Sequence, residues 1–161
     1  MKSSFVVLGV LFYSAAVYAA DSVETYAGDQ ADVVSIAGTV GNAAGEIHKA
    51  LLKSGATESG GCGQVFVQFK SIEANRNEFN DNRSVNLTVD HVTSKVTIAK
   101  DDQGTVVTLE GQSAQDLFEM VRAAGFPARL TCGAQFVTGK HVACAHFGPG
   151  SSYDCSIRLD N

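Results

Sequence analysis

The stretch SGGCGQVFV ends at Val67 and the stretch RLTCGAQFV ends at Val137, so a Cys-Gly pair followed by a Phe-Val pair recurs seventy residues apart. A chain that writes one signature twice at a fixed distance is constrained to use one local structure twice. The neighbourhood supports this. Ala44, Ile47, Leu51 and Gly55 align without gaps to Ala114, Leu117, Val121 and Gly125, and six of the 24 positions from Ala44 to Val67 are identical in Ala114 to Val137.

The second copy carries the cleaner signals. Thr105 to Leu109 is rich in β-branched residues and closes at Glu110-Gly111, a strand and turn. Ser113 and Asp116 have the spacing of a capping box, in which two side chains satisfy the free N–H groups of a helix start. Leu117, Phe118, Val121 and Ala124 then follow at helical spacing, and Gly125 supplies a left-handed stop. In the first copy Val33 to Ala37 and Gly38 match Val106 to Glu110 and Gly111, after which a three-residue insertion precedes the helix.

Beyond each repeated cysteine the pattern is β-rich. Gln64 to Ile72 predicts one strand, while Val85, Leu87, Val89 and His91 alternate with Asn86, Thr88 and Asp90 as in a half-buried strand, which sets His91 in its inward register. Val142, Cys144 and His146, then Tyr153, Cys155, Ile157 and Leu159, share one face of two strands around the turn Gly148-Pro149-Gly150-Ser151. The expected fold is α+β: an antiparallel sheet with two helices packed on it, built from two pseudo-repeated β-α-β-β halves, about 33–100 and 105–161.

Residues 1–19 read as a cleaved export signal. Lys2 gives a positive start, Phe5 to Val17 is apolar, and Val17-Tyr18-Ala19 has the small-residue spacing for cleavage after Ala19, with Ala20 as the alternative. The apolar run falls short of the roughly 20 residues a membrane-spanning helix needs. Residues 20–161 are then one exported domain, periplasmic or secreted, with no transmembrane segment. Its formal charge shifts from −5 to −6 when Lys2 leaves, and Lys and Arg are not clustered. That balance argues against nucleic acid or anionic lipid as the partner.

Four cysteines, Cys62, Cys132, Cys144 and Cys155, suit an oxidising compartment and allow three pairings. The expected set is Cys62 with Cys132, at equivalent places in the halves, and Cys144 with Cys155, opposite each other if the hairpin turns between Pro149 and Gly150. Cys132 with Cys144 is the competitor. The sharpest chemical constellation is Cys144, His146 and Cys155 on one face, which the disulfide would deprive of both thiolates.

No P-loop, nucleophile elbow, dinucleotide fingerprint or C-x-x-C occurs, and no cofactor, metal or catalytic residue is expected. The expected function is a non-enzymatic binding protein, an inhibitor or envelope-associated module meeting a protein of the cell envelope or extracellular space. The rival readings are a cysteine- or metal-dependent enzyme and a structural or adhesive envelope protein. The contact candidates are Asn75, Asn77, Glu78, Phe79 and Asp81 in the polar stretch Ser71 to Ser84, and Ser151, Ser152 and Tyr153 beside the glycine-rich turn, because rigidly held loops concentrate binding residues. His48 stands where the second copy has Phe118 and reads as a partly buried, hydrogen-bonded side chain.

Overall fold

The computed structural model describes residues 20–160. The expected export signal lies outside the described residues. In chain order the elements are β1 (Ser22–Tyr26), β2 (Ala31–Gly38), α1 (Ala43–Lys53), β3 (Thr57–Gly61), β4 (Gln64–Phe69), β5 (Ile72–Asn77) and β6 (Arg83–Asp90). There follow β7 (Ser94–Asp101), β8 (Gly104–Gly111), α2 (Gln112–Ala123), β9 (Ala128–Thr131), β10 (Ala134–Thr138), β11 (Val142–His146) and β12 (Tyr153–Leu159).

The α+β class holds, but the single expected sheet is two. One six-stranded antiparallel sheet has the order β1-β2-β6-β5-β4-β3 and the other β7-β8-β12-β11-β10-β9. Each sheet takes two strands before its helix and four after, so the β-α-β-β outline falls short. β5 lies inside its sheet between β6 and β4, its pattern hidden by polar residues, but the other missing strands are edges: β3 and β9 are exposed along their whole length and β1 nearly so. A strand paired on one side with no buried face has no alternation to betray it.

Pairing registers correspond as well. Val67 faces Ala74 as Val137 faces Cys144, and Ile36 faces Val85 as Leu109 faces Cys155. Each helix lies on its own sheet, touches the other helix and reaches the opposite sheet, α1 at β12 and α2 at β6. The core therefore sits between the sheets. Ile47, Leu51, Leu117 and Val121 are completely buried there against Val34, Ile36, Val107 and Leu109. Each such aliphatic chain contributes about 1.5–3 kcal/mol on leaving water.

Neither helix is capped by its own sequence. Ser113 and Asp116 do not form the expected box: Gly111 is the N-cap, with no side-chain cap bond. Instead the Ser113 amide donates to Ser94 Oγ at 3.0 Å, and the Ala43 amide donates to Asp21 Oδ2 at 3.0 Å. A residue at the start of each half satisfies an amide that the helix cannot. Burial raises the Asp21 carboxyl above its usual range, partly offset by that Ala43 bond.

The halves hold each other reciprocally. The turn between β10 and β11 donates two backbone N–H groups, Lys140 at 2.9 Å and His141 at 2.8 Å, to the Glu46 carboxylate on α1. Seventy positions earlier, the turn between β4 and β5 places Ser71 Oγ 2.6 Å from Asp116 Oδ2 on α2, with Lys70 bonded to Glu119. Gly139 is needed here, since a Cβ would fall 1.9 Å from Glu46 Oε1.

Candidate functional site

The repeated Cys-Gly pair is a hairpin turn rather than the start of a strand. Gly61 faces Gln64 and Thr131 faces Ala134, leaving two-residue loops in which Cys62 and Gly63 have φ of 53° and 77°, and Cys132 and Gly133 have 50° and 79°. Both central residues at positive φ make a type I′ turn, the form that matches strand twist. Cys62 and Cys132 are exposed and free, so their expected pairing is not formed: two hairpin tips, each at an outer edge, do not bring their thiols together. Cys144 and Cys155 are bonded, and they face each other in the register that places the turn between Pro149 and Gly150. That bond also removes the competing Cys132–Cys144 pair.

The polar stretch Ser71 to Ser84 is mostly strand. Ile72 and Ala74 are buried, and apart from Ser71 in the β4–β5 turn only Glu78 to Asn82 lies outside the strands. Asn75 lies within β5, and its side-chain oxygen is buried without a partner among the described residues. Asn77 Oδ1 accepts from the Phe79 amide at 2.8 Å, and the Glu78 amide donates to Gly63 O at 2.9 Å. Phe79 is 85 % exposed and covers Gly63, while Asp81 binds the Arg83 guanidinium at 3.0 Å. The Ser151 amide donates to Gly148 O at 3.1 Å, tightening the glycine-rich turn, and Ser152 is exposed beside it. Asn77 to Asp81 and Ser151 to Tyr153 thus mark the β5–β6 and β11–β12 connections, the same position on the two sheets.

The chemistry of those two positions differs sharply. Below the β11–β12 turn, Phe118 on α2 meets Tyr153 edge-on at 5.3 Å between ring centroids, and His146 stacks on Tyr153 at 4.1 Å. His146 and Tyr153 are directly opposite across β11 and β12. In the first half the corresponding residues are His48, Arg76 and Arg83, with Arg76 directly opposite Arg83 across β5 and β6. No aromatic plug forms there. A cleft of about 350 Å³ opens instead, walled also by Lys49, Val65 and Glu58, with Val40 and Leu52 at an exposed apolar rim.

His48 is 3 % exposed, and its Nε2 has no hydrogen-bond partner among the described residues, contrary to the partnered side chain expected. Burial lowers its pKa below the ordinary 6.5, and Arg83 and Arg76 push it in the same direction, so the ring is neutral at pH 7. Arg83 is held by Asp81 through both the carboxylate and the backbone carbonyl. Arg76 has no ion pair among the described residues.

This cluster was the part sequence reasoning missed. Its signal was an arginine at the third place of the alternation Ile72, Ala74, Arg76, on the face that should be apolar. Elsewhere His91 does not take the expected inward register: β6 ends at Asp90, and His91 is exposed in the turn beyond it and binds Asp32 at 2.9 Å, while His141 is buried with Nε2 3.2 Å from Gly41 O. Among the described residues no helix is long and apolar enough to cross a membrane. No protein-family profile, curated protein or solved structure matches the chain.

Proposed function

We propose that the chain is an exported, non-enzymatic binding protein, that one ββαββββ unit is used twice in it, and that the cleft of the first unit is its ligand seat. One observation carries the reading. At the same backbone position, the second unit is filled by Phe118, His146 and Tyr153, whereas the first leaves an opening of about 350 Å³ floored by buried His48, whose Nε2 has no hydrogen-bond partner among the described residues. Cavities of ~300–1,000 Å³ with apolar walls and a few polar groups are the usual seats of small ligands.

Arg83, which lines the cleft, is bound by Asp81 of the Glu78–Asn82 connection, and this supports reading the expected contact loop and the cleft as one surface. Export is supported by the signal-like residues 1–19 and by the Cys144–Cys155 bond, which persists in oxidising compartments. A partner in the envelope or extracellular space would present its recognised group to that surface.

The test is amide NMR of the mature protein against a library of small organic molecules. Hits are expected to shift amides of α1, β5 and β6 and to leave α2, β11 and β12 unmoved. Grafting the second unit's plug, His48→Phe with Arg76→His and Arg83→Tyr, should abolish those shifts while the fold persists. A library with no first-unit hits, or hits that survive the graft, would overturn the reading.

A further inference from the structure

We propose that the cleft takes an organic anion, a carboxylate or phosphate head on a short apolar body, with Arg76 and Arg83 as the partners of the head. The inference rests on the cleft being the ligand seat and adds the chemistry of what sits there.

Like charges directly opposite on neighbouring strands repel. Arg76 and Arg83 are such a pair, and both line the interior side of the sheet. The fold does not require them, since the second half carries stacked His146 and Tyr153 at the same register. Among the described residues only one of the two guanidinium groups is answered, by the exposed carboxylate of Asp81. A guanidinium presents a planar fork of N–H donors that fits a carboxylate or phosphate in two parallel bonds. An anion between the two forks would replace repulsion with two charge-assisted pairs.

His48 extends the argument inward. Its unpartnered Nε2 is a polar atom that leaves water without compensation, a cost that an acceptor above it would relieve. An approaching anion also counters the arginines, which add to burial in lowering the ring's pKa, so binding should favour proton uptake. The charged groups around His48 and the cleft are Arg76 from β5, Arg83 from β6 and Lys49 from α1, against Glu58 from β3 and Asp81 from the connection, three positive to two negative. Beyond the head, Val65 and Leu52 give an apolar wall suited to a few methylene groups rather than to a second charge.

The experiment titrates the mature protein with four probes sharing a six-carbon chain: hexanoate, hexyl phosphate, hexanol and hexylammonium. First-half amides and the Arg76 and Arg83 side-chain Nε signals are followed. At least one anion should bind about tenfold or more tightly than hexanol, as expected for hydrogen bonds to a charged group. Hexylammonium should not bind, and added salt should weaken the anion. The tighter of the two anions identifies the head. Arg76→Gln should cost about tenfold in anion affinity, and Arg83→Gln serves in the same way if that variant does not fold. Neutral or cationic probes that match the anions would overturn the anion assignment and leave the cleft reading intact. Anion shifts confined to the second half would overturn both. If no probe moves a first-half amide, the anion assignment falls, and the library screen alone then decides the cleft.

Discussion

The β5–β6 and β11–β12 ends of the molecule have the same pairing register and opposite contents. Beneath α2 three rings close the space, whereas beneath α1 an imidazole and two guanidinium groups leave it open. The backbone cannot be the cause, because the registers agree residue for residue. Three side chains decide whether the position is core or cleft, which is how a site is placed on a fold without altering it. The same contrast holds two pairs further along the strands, on the same face, where Ala74 and Val85 occupy the place of the Cys144–Cys155 bond.

The largest effect is expected from giving the second half the first half's pair. Cys144→Ala with Cys155→Val removes a bridge with a sequence separation of 11. Closing a loop of that size in the unfolded chain is worth about 2–4 kcal/mol, and denaturant melts under oxidising conditions should show a loss in that range. A loss near zero would mean that apolar packing alone holds both halves equally.

A smaller effect is expected from His48→Phe, which brings the second half's residue into the first. It removes a buried unpartnered nitrogen and should stabilise the protein by about 1 kcal/mol at pH 7. The pH dependence has a definite sign. The folded-state pKa of His48 is lowered, so the unfolded chain takes up the proton first, and stability falls as pH drops below 6.5 until the folded-state value is passed. Melts of the native chain should therefore lose stability on acidification in that window, and the Phe variant should lose less. Parallel curves for the two proteins would sink the assignment.

The smallest effects belong to the feature the halves share. Cys62 and Cys132 adopt positive φ, where an L residue other than Asn, Asp or Gly is disfavoured. Cys62→Asn and Cys132→Asn should each raise stability by about 0.5 kcal/mol. A loss at one tip and a gain at the other would show that the two turns are not equivalent in energy. Before substitution, a thiol assay on the unfolded oxidised protein should count two free thiols.

Much of this molecule follows from local rules. Gly55 and Gly125 end the helices at φ of 82° and 81°, as their place after an amphipathic run requires. The Cys144–Cys155 pair follows from the hairpin centred between Pro149 and Gly150. The seventy-residue recurrence located both Cys-Gly pairs, although it took the observed dihedrals to show them as type I′ turns. The helix stops, the bridged hairpin and each Cys-Gly turn depend on residues within about a dozen positions of each other, where chain geometry leaves few choices.

What the tertiary structure alone decided depends on partners far apart in sequence. Two sheets rather than one, the helix amides satisfied by Asp21 and Ser94, and the mutual grip of Glu46 and Asp116 each join segments about twenty to a hundred residues apart. The cleft is of the same kind. Arg76 and Arg83 looked like solvated charges because polarity reports preference for water, not the face a strand turns toward a helix. Only the docking of α1 over β5 and β6 turned two surface-like arginines and one histidine into neighbours.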